Sequence, residues 1–310
     1  MSHHTDFSLL TASLTPLDRN LNLNCKHLKT HVQGLLKTGA SGVVLFGTTG
    51  EGNSLSVSER KYGLEFIVQG GISPKNLIVG TGCCALTDTV DLTKHALNVG
   101  VNRILVLPPF YYKNVSEDGL FGVFDHLLQQ IGNRQIQVYI YHFPQMSGIP
   151  ISVHLVERLL LSHGDNICGF KDSGGNWENI SEMIQEFPQL QVFAGSEEFL
   201  LNTLQVGGAG CISATTNVTL PLAVKLISKW KTAEAKKLQQ QLYEIRRSIE
   251  RWPMIAALKA LMQHMTGNDQ WANLRPPLTP LLTHDAQSCI HSFELASRRT
   301  MMNSPIVSAK

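Results

Sequence analysis

Lys171 closes an apolar run, Cys168-Gly169-Phe170-Lys171, and is followed by Asp172-Ser173-Gly174. A lysine in this position has two readings. On a loop it is a solvated cation, the common case, because lysine is seldom fully buried. Turned into an enclosed site it loses water, which disfavours an ammonium, and a neutral amine can attack a ketone to form a Schiff base. A second apolar run, Val138-Tyr139-Ile140-Tyr141-His142-Phe143-Pro144, ends with Tyr141 near its mouth. Period-two alternation puts Tyr139 and Tyr141 on one face and Ile140 on the other, while His142 points away and reads as structural. A buried phenol needs a hydrogen-bond partner, and a threonine hydroxyl would serve. A third run ends in Gly47-Thr48-Thr49-Gly50-Glu51-Gly52. Its glycines let the backbone approach a small anion, with N–H groups and hydroxyls facing it. The same stretch also reads as an ordinary tight turn; the lysine-bearing phosphate-loop pattern is absent. A fourth run ends in Pro108-Pro109-Phe110-Tyr111-Tyr112. Its two phenols read either as an outward-presented hydroxyl or as loop or interface packing.

The elements that must position these groups form a regular series. Apolar runs recur at Phe7–Ser13, Gly42–Phe46, Leu77–Gly80, Arg103–Leu107, Gln137–His142, Ile167–Lys171, Gln191–Ala194 and Gly210–Ser213. They are continuously apolar rather than alternating, as strands of a parallel sheet buried on both faces are. Helical periodicity fills the gaps, over Cys25–Thr38, Ser58–Gly70, Thr87–Val99, Glu117–Gln130, Ser152–Ser162 and Trp177–Phe187. Ser56 with Glu59 predicts a capping box, and Ser116 before two acids predicts a second helix start. Eight strands alternating with helices predict a (β/α)8 barrel, whose active site lies at the C-terminal ends of the strands. A doubly wound open sheet is the alternative, but no G-x-G-x-x-G follows the first strand. After Ser213 the pattern turns helical to Gly267, breaks at Arg275-Pro276-Pro277, and resumes over Asp285–Arg299. We therefore divide the chain into a barrel over 1–225 and a C-terminal helical extension over 226–310, with the tail after Met301 expected to fray.

Composition excludes several classes. The chain has 310 residues, with 26 Lys+Arg against 24 Asp+Glu, so excess positive charge does not point to nucleic acid. With 43% hydrophobic and 16% charged residues it is globular. The N-terminus lacks the pattern of a secretion signal, and no apolar run reaches the ~20 residues of a membrane span. Six cysteines without a C-x-x-C fit reduced thiols in the cytoplasm. No Cys/His spacing for a metal is present, so neither metal nor organic cofactor is expected.

The four strand-end signals together resemble the dihydrodipicolinate synthase / N-acetylneuraminate lyase family. The resemblance is carried by Gly47-Thr48-Thr49-Gly50-Glu51, Tyr141-x-x-Pro144, Gly169-Phe170-Lys171-Asp172, Gly207-Gly208-Ala209-Gly210-Cys211-Ile212-Ser213 and Leu274-Arg275-Pro276-Pro277-Leu278. It runs in order from Leu9 to Leu282. It implies a class I pyruvate lyase on a (β/α)8 barrel, commonly a homotetramer. By that resemblance Lys171 forms the Schiff base and Tyr141 is the general acid/base. Thr48 and Thr49 hold the pyruvate carboxylate, and one hydroxyl links Tyr141 to a tyrosine of a neighbouring subunit, Tyr112 or, with a different loop length, Tyr111. Gly47, Ser173, Gly195 and Ile212 complete the set around the substrate. Dihydrodipicolinate synthases resemble Tyr-Asn-x-Pro-x-Arg-Thr-Gly, with the Arg on a second carboxylate. Here Met146 stands in that place. Tyr-His-x-Pro is instead similar to the sialate lyases, as is Gly195-Ser196-Glu197-Glu198, whose acids could accept sugar hydroxyls. Lys171-Asp172-Ser173-Gly174 is more similar to 2-keto-3-deoxygluconate aldolases. The resemblance therefore implies pyruvate and an aldehyde, or the corresponding keto-deoxy sugar acid, as substrates. A dihydrodipicolinate synthase, a keto-deoxy acid dehydratase and a non-catalytic pyruvate-binding homologue are the alternatives.

Overall fold

The computed structural model describes residues 9–132 and 135–302. The first eight residues, where no secretion signal was expected, lie outside that range, as does the tail from 303 onward, where fraying was expected. The strands are β1 (Leu9–Ala12), β2 (Gly42–Leu45), β3 (Leu77–Gly80), β4 (Arg103–Val106), β5 (Gln137–His142), β6 (Ile167–Asp172), β7 (Gln191–Ala194) and β8 (Gly210–Ser213). All pair in parallel and in chain order, and β8 closes on β1, giving the expected eight-stranded barrel. The helices are α1 (Cys25–Thr38), α2 (Val57–Gln69), α3 (Leu86–Asn98), α4 (Glu117–Ile131), the short α5 (Pro144–Ser147), α6 (Val153–His163), α7 (Trp177–Glu186), α8 (Leu200–Gln205), α9 (Thr216–Lys229), α10 (Ala235–Ile249), α11 (Met254–Thr266) and α12 (Thr283–Met302).

Local chemistry sets several boundaries. Ser56 and Glu59 form the expected capping box at the start of α2, and the Ser116 hydroxyl accepts the Gly119 N–H at the start of α4. Gly39 ends α1 in the left-handed conformation, which a residue with a Cβ adopts at a cost. Alternation along the strands separates two apolar layers. Val43, Leu45, Ile140 and Phe170 face the surrounding helices. Leu10, Val44, Ile78, Leu105, Tyr139, Tyr141, Phe193 and Ile212 fill the barrel interior. Tyr139 and Tyr141 therefore share the inner face, as alternation predicts.

One expected boundary moves. The division at 225/226 falls inside α9, a single helix that packs on β1 and α1 as the last helix of the barrel ring. The extension begins after Lys229, because Pro221 sits in the first turns of α9 and does not break it. The extension carries its own core of Ile245, Ile249, Leu258, Leu261 and Trp271 with Leu14 of the barrel. Two ion pairs tie it to the loop after β2 and to the first turn of α2. Lys259 of α11 meets Glu51, each side chain 1% exposed. Arg275 meets Glu59 and also donates to the carbonyls of Leu21 and Ser54.

Candidate active site

Tyr141 and Lys171 are register partners on adjacent strands, so both point into the barrel. The Lys171 Nζ lies over the Tyr141 ring, 4.1 Å from its centroid. Lys171 is 5% exposed and Tyr141 4%. The Tyr141 hydroxyl sits 3.5 Å from Thr48 Oγ1, the threonine partner that a buried phenol requires. Lysine, phenol and threonine hydroxyl thus converge at the C-terminal ends of β2, β5 and β6. The next residues in register, His142 and Asp172, point outward. Burial pushes the His142 imidazole down and the Asp172 carboxyl up from their ordinary ranges. Asp172 accepts the Gly174 N–H at 2.6 Å, fixing the turn that follows Lys171.

The threonine loop is tightly built. Phe46 and Glu51 both have positive φ, at 55° and 53°. A Cβ on Gly52 would lie 2.0 Å from the Phe46 carbonyl oxygen, so only glycine lets the loop fold back on the end of β2. Thr15 Oγ1 donates to the Gly50 carbonyl at 2.7 Å, and the Glu51 N–H to that of Thr48 at 3.1 Å. Gly195 is under a similar constraint, since a Cβ there would come 2.2 Å from Ser173 Oγ.

A cavity of about 770 Å³ opens above this group, within the usual range for small-molecule sites. Thr48, Thr49, Tyr141, Lys171, Ser173, Gly195 and Glu198 line it, so seven of the expected residues come together. The other four do not. Gly47 borders a small void beneath Thr48 and Tyr141. Ile212 is fully buried in the interior layer under the cavity. Tyr112 is 73% exposed and stands edge-on to Tyr111, ring centroids 5.3 Å apart, away from the site of its own chain. Glu197 corrects an expectation. Its carboxylate is fully buried and is taken up by the hydroxyls of Ser213, Thr215 and Thr219, with Arg246 Nη1 at 3.4 Å. Ser196 caps the turn it belongs to, and that turn aims Glu197 at the start of α9 rather than at the cavity.

Sequence reasoning also missed a wall. The extension roofs the cavity with Arg246 and Arg247 of α10, Glu250, and Met254 of α11. The Gln239 side chain bolts α10 in place by donating to the carbonyls of Glu197 and Glu198 and accepting the Leu201 N–H. The spacing of Arg246, Arg247 and Glu250 signals one polar patch on a helix end; nothing in it says which cavity the patch faces.

Comparison with known proteins bears on the family and the fold. Residues 7–293 match the dihydrodipicolinate synthetase family. A DapA-like lyase of Chloroflexus aurantiacus is 35% identical over 290 residues, covering 92% of this chain and 95% of its own. The crystal structure of dihydrodipicolinate synthase from Agrobacterium tumefaciens superposes with a TM-score of 0.87 at 30% identity, over 94% of this chain and 99% of that one. YagE, a prophage protein of the same family from E. coli K12, was crystallised in complex with pyruvate; it superposes with a TM-score of 0.86 at 25% identity, again over 94% and 99%.

Proposed function

This chain belongs to the dihydrodipicolinate synthetase family of pyruvate-dependent class I lyases, and from that premise we propose that it cleaves or forms the C–C bond between pyruvate and a hydroxylated aldehyde. The substrate is a 2-keto-3-deoxy sugar acid of the N-acetylneuraminate or 2-keto-3-deoxygluconate type. The observation that carries the reading is the contact between the buried Lys171 amine and the Tyr141 ring, with Thr48 on the phenol.

In the cleavage direction the Lys171 amine adds to C2 of the keto acid and expels water, giving a protonated imine. Tyr141 takes the proton from the C4 hydroxyl. The C3–C4 electron pair moves onto the imine as an enamine, and the aldehyde leaves. Protonation at C3 and hydrolysis of the imine release pyruvate and restore the amine. Thr48 and Thr49 hold the carboxylate at the glycine-rich loop, and Thr48 passes the Tyr141 proton onward. Tyr112 of a neighbouring subunit is the next member of that relay, which requires at least a dimer; the homotetramer is what the family resemblance implies. Its exposed, paired rings support this reading. Six free thiols suit the cytoplasm.

The second reading, 4-hydroxy-tetrahydrodipicolinate synthase, has support in relatives of that name, such as one of Bacillus subtilis. Met146 speaks against it: it lies in the cavity wall, where a thioether cannot pair with the aldehyde's carboxylate. The test is a panel. Pyruvate release from several keto-deoxy sugar acids is set beside condensation of pyruvate with aspartate semialdehyde. Release from a sugar acid as the faster reaction is expected, and a dominant semialdehyde rate would refute the sugar-acid reading.

A further inference from the structure

The roof of the cavity carries a feature that the imine chemistry does not use. Arg246 Nε donates to Glu250 Oε1 at 2.6 Å, and Arg247 Nη1 to Glu250 Oε2 at 2.9 Å. Arg247 Nη2 donates to Glu198 Oε1 at 2.9 Å. Arg246 also reaches the buried Glu197. Two guanidiniums therefore face three carboxylates. Both arginines already hold carboxylates, so neither offers an open fork for the bidentate capture of a substrate anion. What remains unused is different in kind. Among the described residues Glu198 Oε2 takes no hydrogen bond, each Glu250 oxygen takes one N–H, and each Arg247 Nη gives one to a carboxylate. Acceptors and donors thus alternate along one wall, which is the pattern that adjacent hydroxyl groups match.

We propose that Arg247 and Glu250, together with Glu198, are specificity-determining residues that read the hydroxyls of an uncharged polyol tail and reject an aldehyde bearing a second anion. The inference rests on the imine reading and adds to it the α10 end of the site. The Arg246 and Arg247 charges are already taken up by Glu197, Glu198 and Glu250, and Met146 offers no further cation, so an incoming anion finds no free partner on this wall. Hydroxyls, by contrast, complete bonds that the wall leaves open. A wall built to bond a hydroxyl discriminates strongly against a substrate lacking it, because its own polar groups are then desolvated without partners.

The test compares wild type with Glu250→Gln and Arg247→Met. Pyruvate is condensed with glyceraldehyde, with propanal, which lacks the hydroxyls, and with succinic semialdehyde, which carries an anion. Borohydride trapping of pyruvate is run on the same samples. In both variants the kcat/KM ratio of glyceraldehyde to propanal falls by about tenfold or more, the loss of one charged hydrogen bond. In Glu250→Gln the ratio of glyceraldehyde to succinic semialdehyde falls as well. A glyceraldehyde-to-propanal ratio unchanged in either variant overturns the proposal while trapping still supports the imine. Absence of trapping in wild type overturns the imine reading, and this inference with it.

Discussion

Lys171 and Tyr141 are informative because of what surrounds them. Buried lysines are uncommon, and this one lies against a phenol face rather than a carboxylate. A cation over a ring is modestly stabilised; a neutral amine there keeps its lone pair for a carbonyl. Tyr141→Phe retains the ring under Lys171 and removes only the hydroxyl that meets Thr48. Its kcat is expected to fall by about 10²–10⁴, the usual contribution of a positioned acid/base. Steady-state kinetics checks this, and an unchanged kcat would remove Tyr141 from proton transfer. Both residues were legible in the sequence because a strand's period of two, and the rule that barrel sites sit at strand ends, are local statements. Glu197 was not. Its partners Thr215, Thr219 and Arg246 lie 18, 22 and 49 residues away, and no pattern near Ser196 records them. Tyr112 enters the site only through resemblance, and the proposal that places it there requires a second copy of the chain.

The elements divide the labour. Eight short strands set the depth of the lysine and the phenol, while the threonines ride on a loop with two non-glycine residues at positive φ. Such a loop holds its shape only when its surroundings over-determine it. Thr15 does so from the loop after β1, and Lys259 does so from α11 through Glu51. Lys259 also donates to the Asn273 carbonyl at 2.7 Å. Lys259→Met leaves the Glu51 carboxylate buried and unpaired, at an expected cost of about 3–5 kcal/mol. Pairing it with Glu51→Gln returns part of that loss. Urea unfolding of the three variants measures both effects, and additive losses would contradict the pair's role. The strands and most helices were readable from apolar periodicity, several to the residue. The role of α10 and α11 as a roof was not. An amphipathic pattern says that a helix buries one face, but the identity of what it covers is a tertiary fact.

At the scale of the whole molecule, barrel and extension are sealed by groups that titrate in acid. His31 of α1 bonds Asn217 Oδ1 of α9 at 2.8 Å and stands edge-on to Trp271 of the extension. Burial holds its imidazole down to about 4. The unfolded chain takes up that proton near pH 6.5 and the folded chain does not, so stability is full above pH 6.5 and falls as the pH drops towards 4. The loss reaches about 3 kcal/mol across that window. Glu59, held down to about 2 by Arg275, adds a second limb. Its contribution is complete above the ordinary carboxylate range and is lost as the pH falls from about 4.5 towards 2. Urea midpoints between pH 7 and 4 should therefore decline in wild type and flatten in His31→Gln. Equal slopes in the two proteins would assign the decline to other groups. The central claim is the covalent bond between Lys171 and pyruvate, and one measurement addresses it directly. The intact protein is reduced with borohydride in the presence of pyruvate, weighed, and digested to locate the adduct. One reduced pyruvate adduct per chain, on the peptide containing Lys171 and absent from Lys171→Arg, is the expected result. An unmodified mass, or an adduct that persists in Lys171→Arg, would contradict the account.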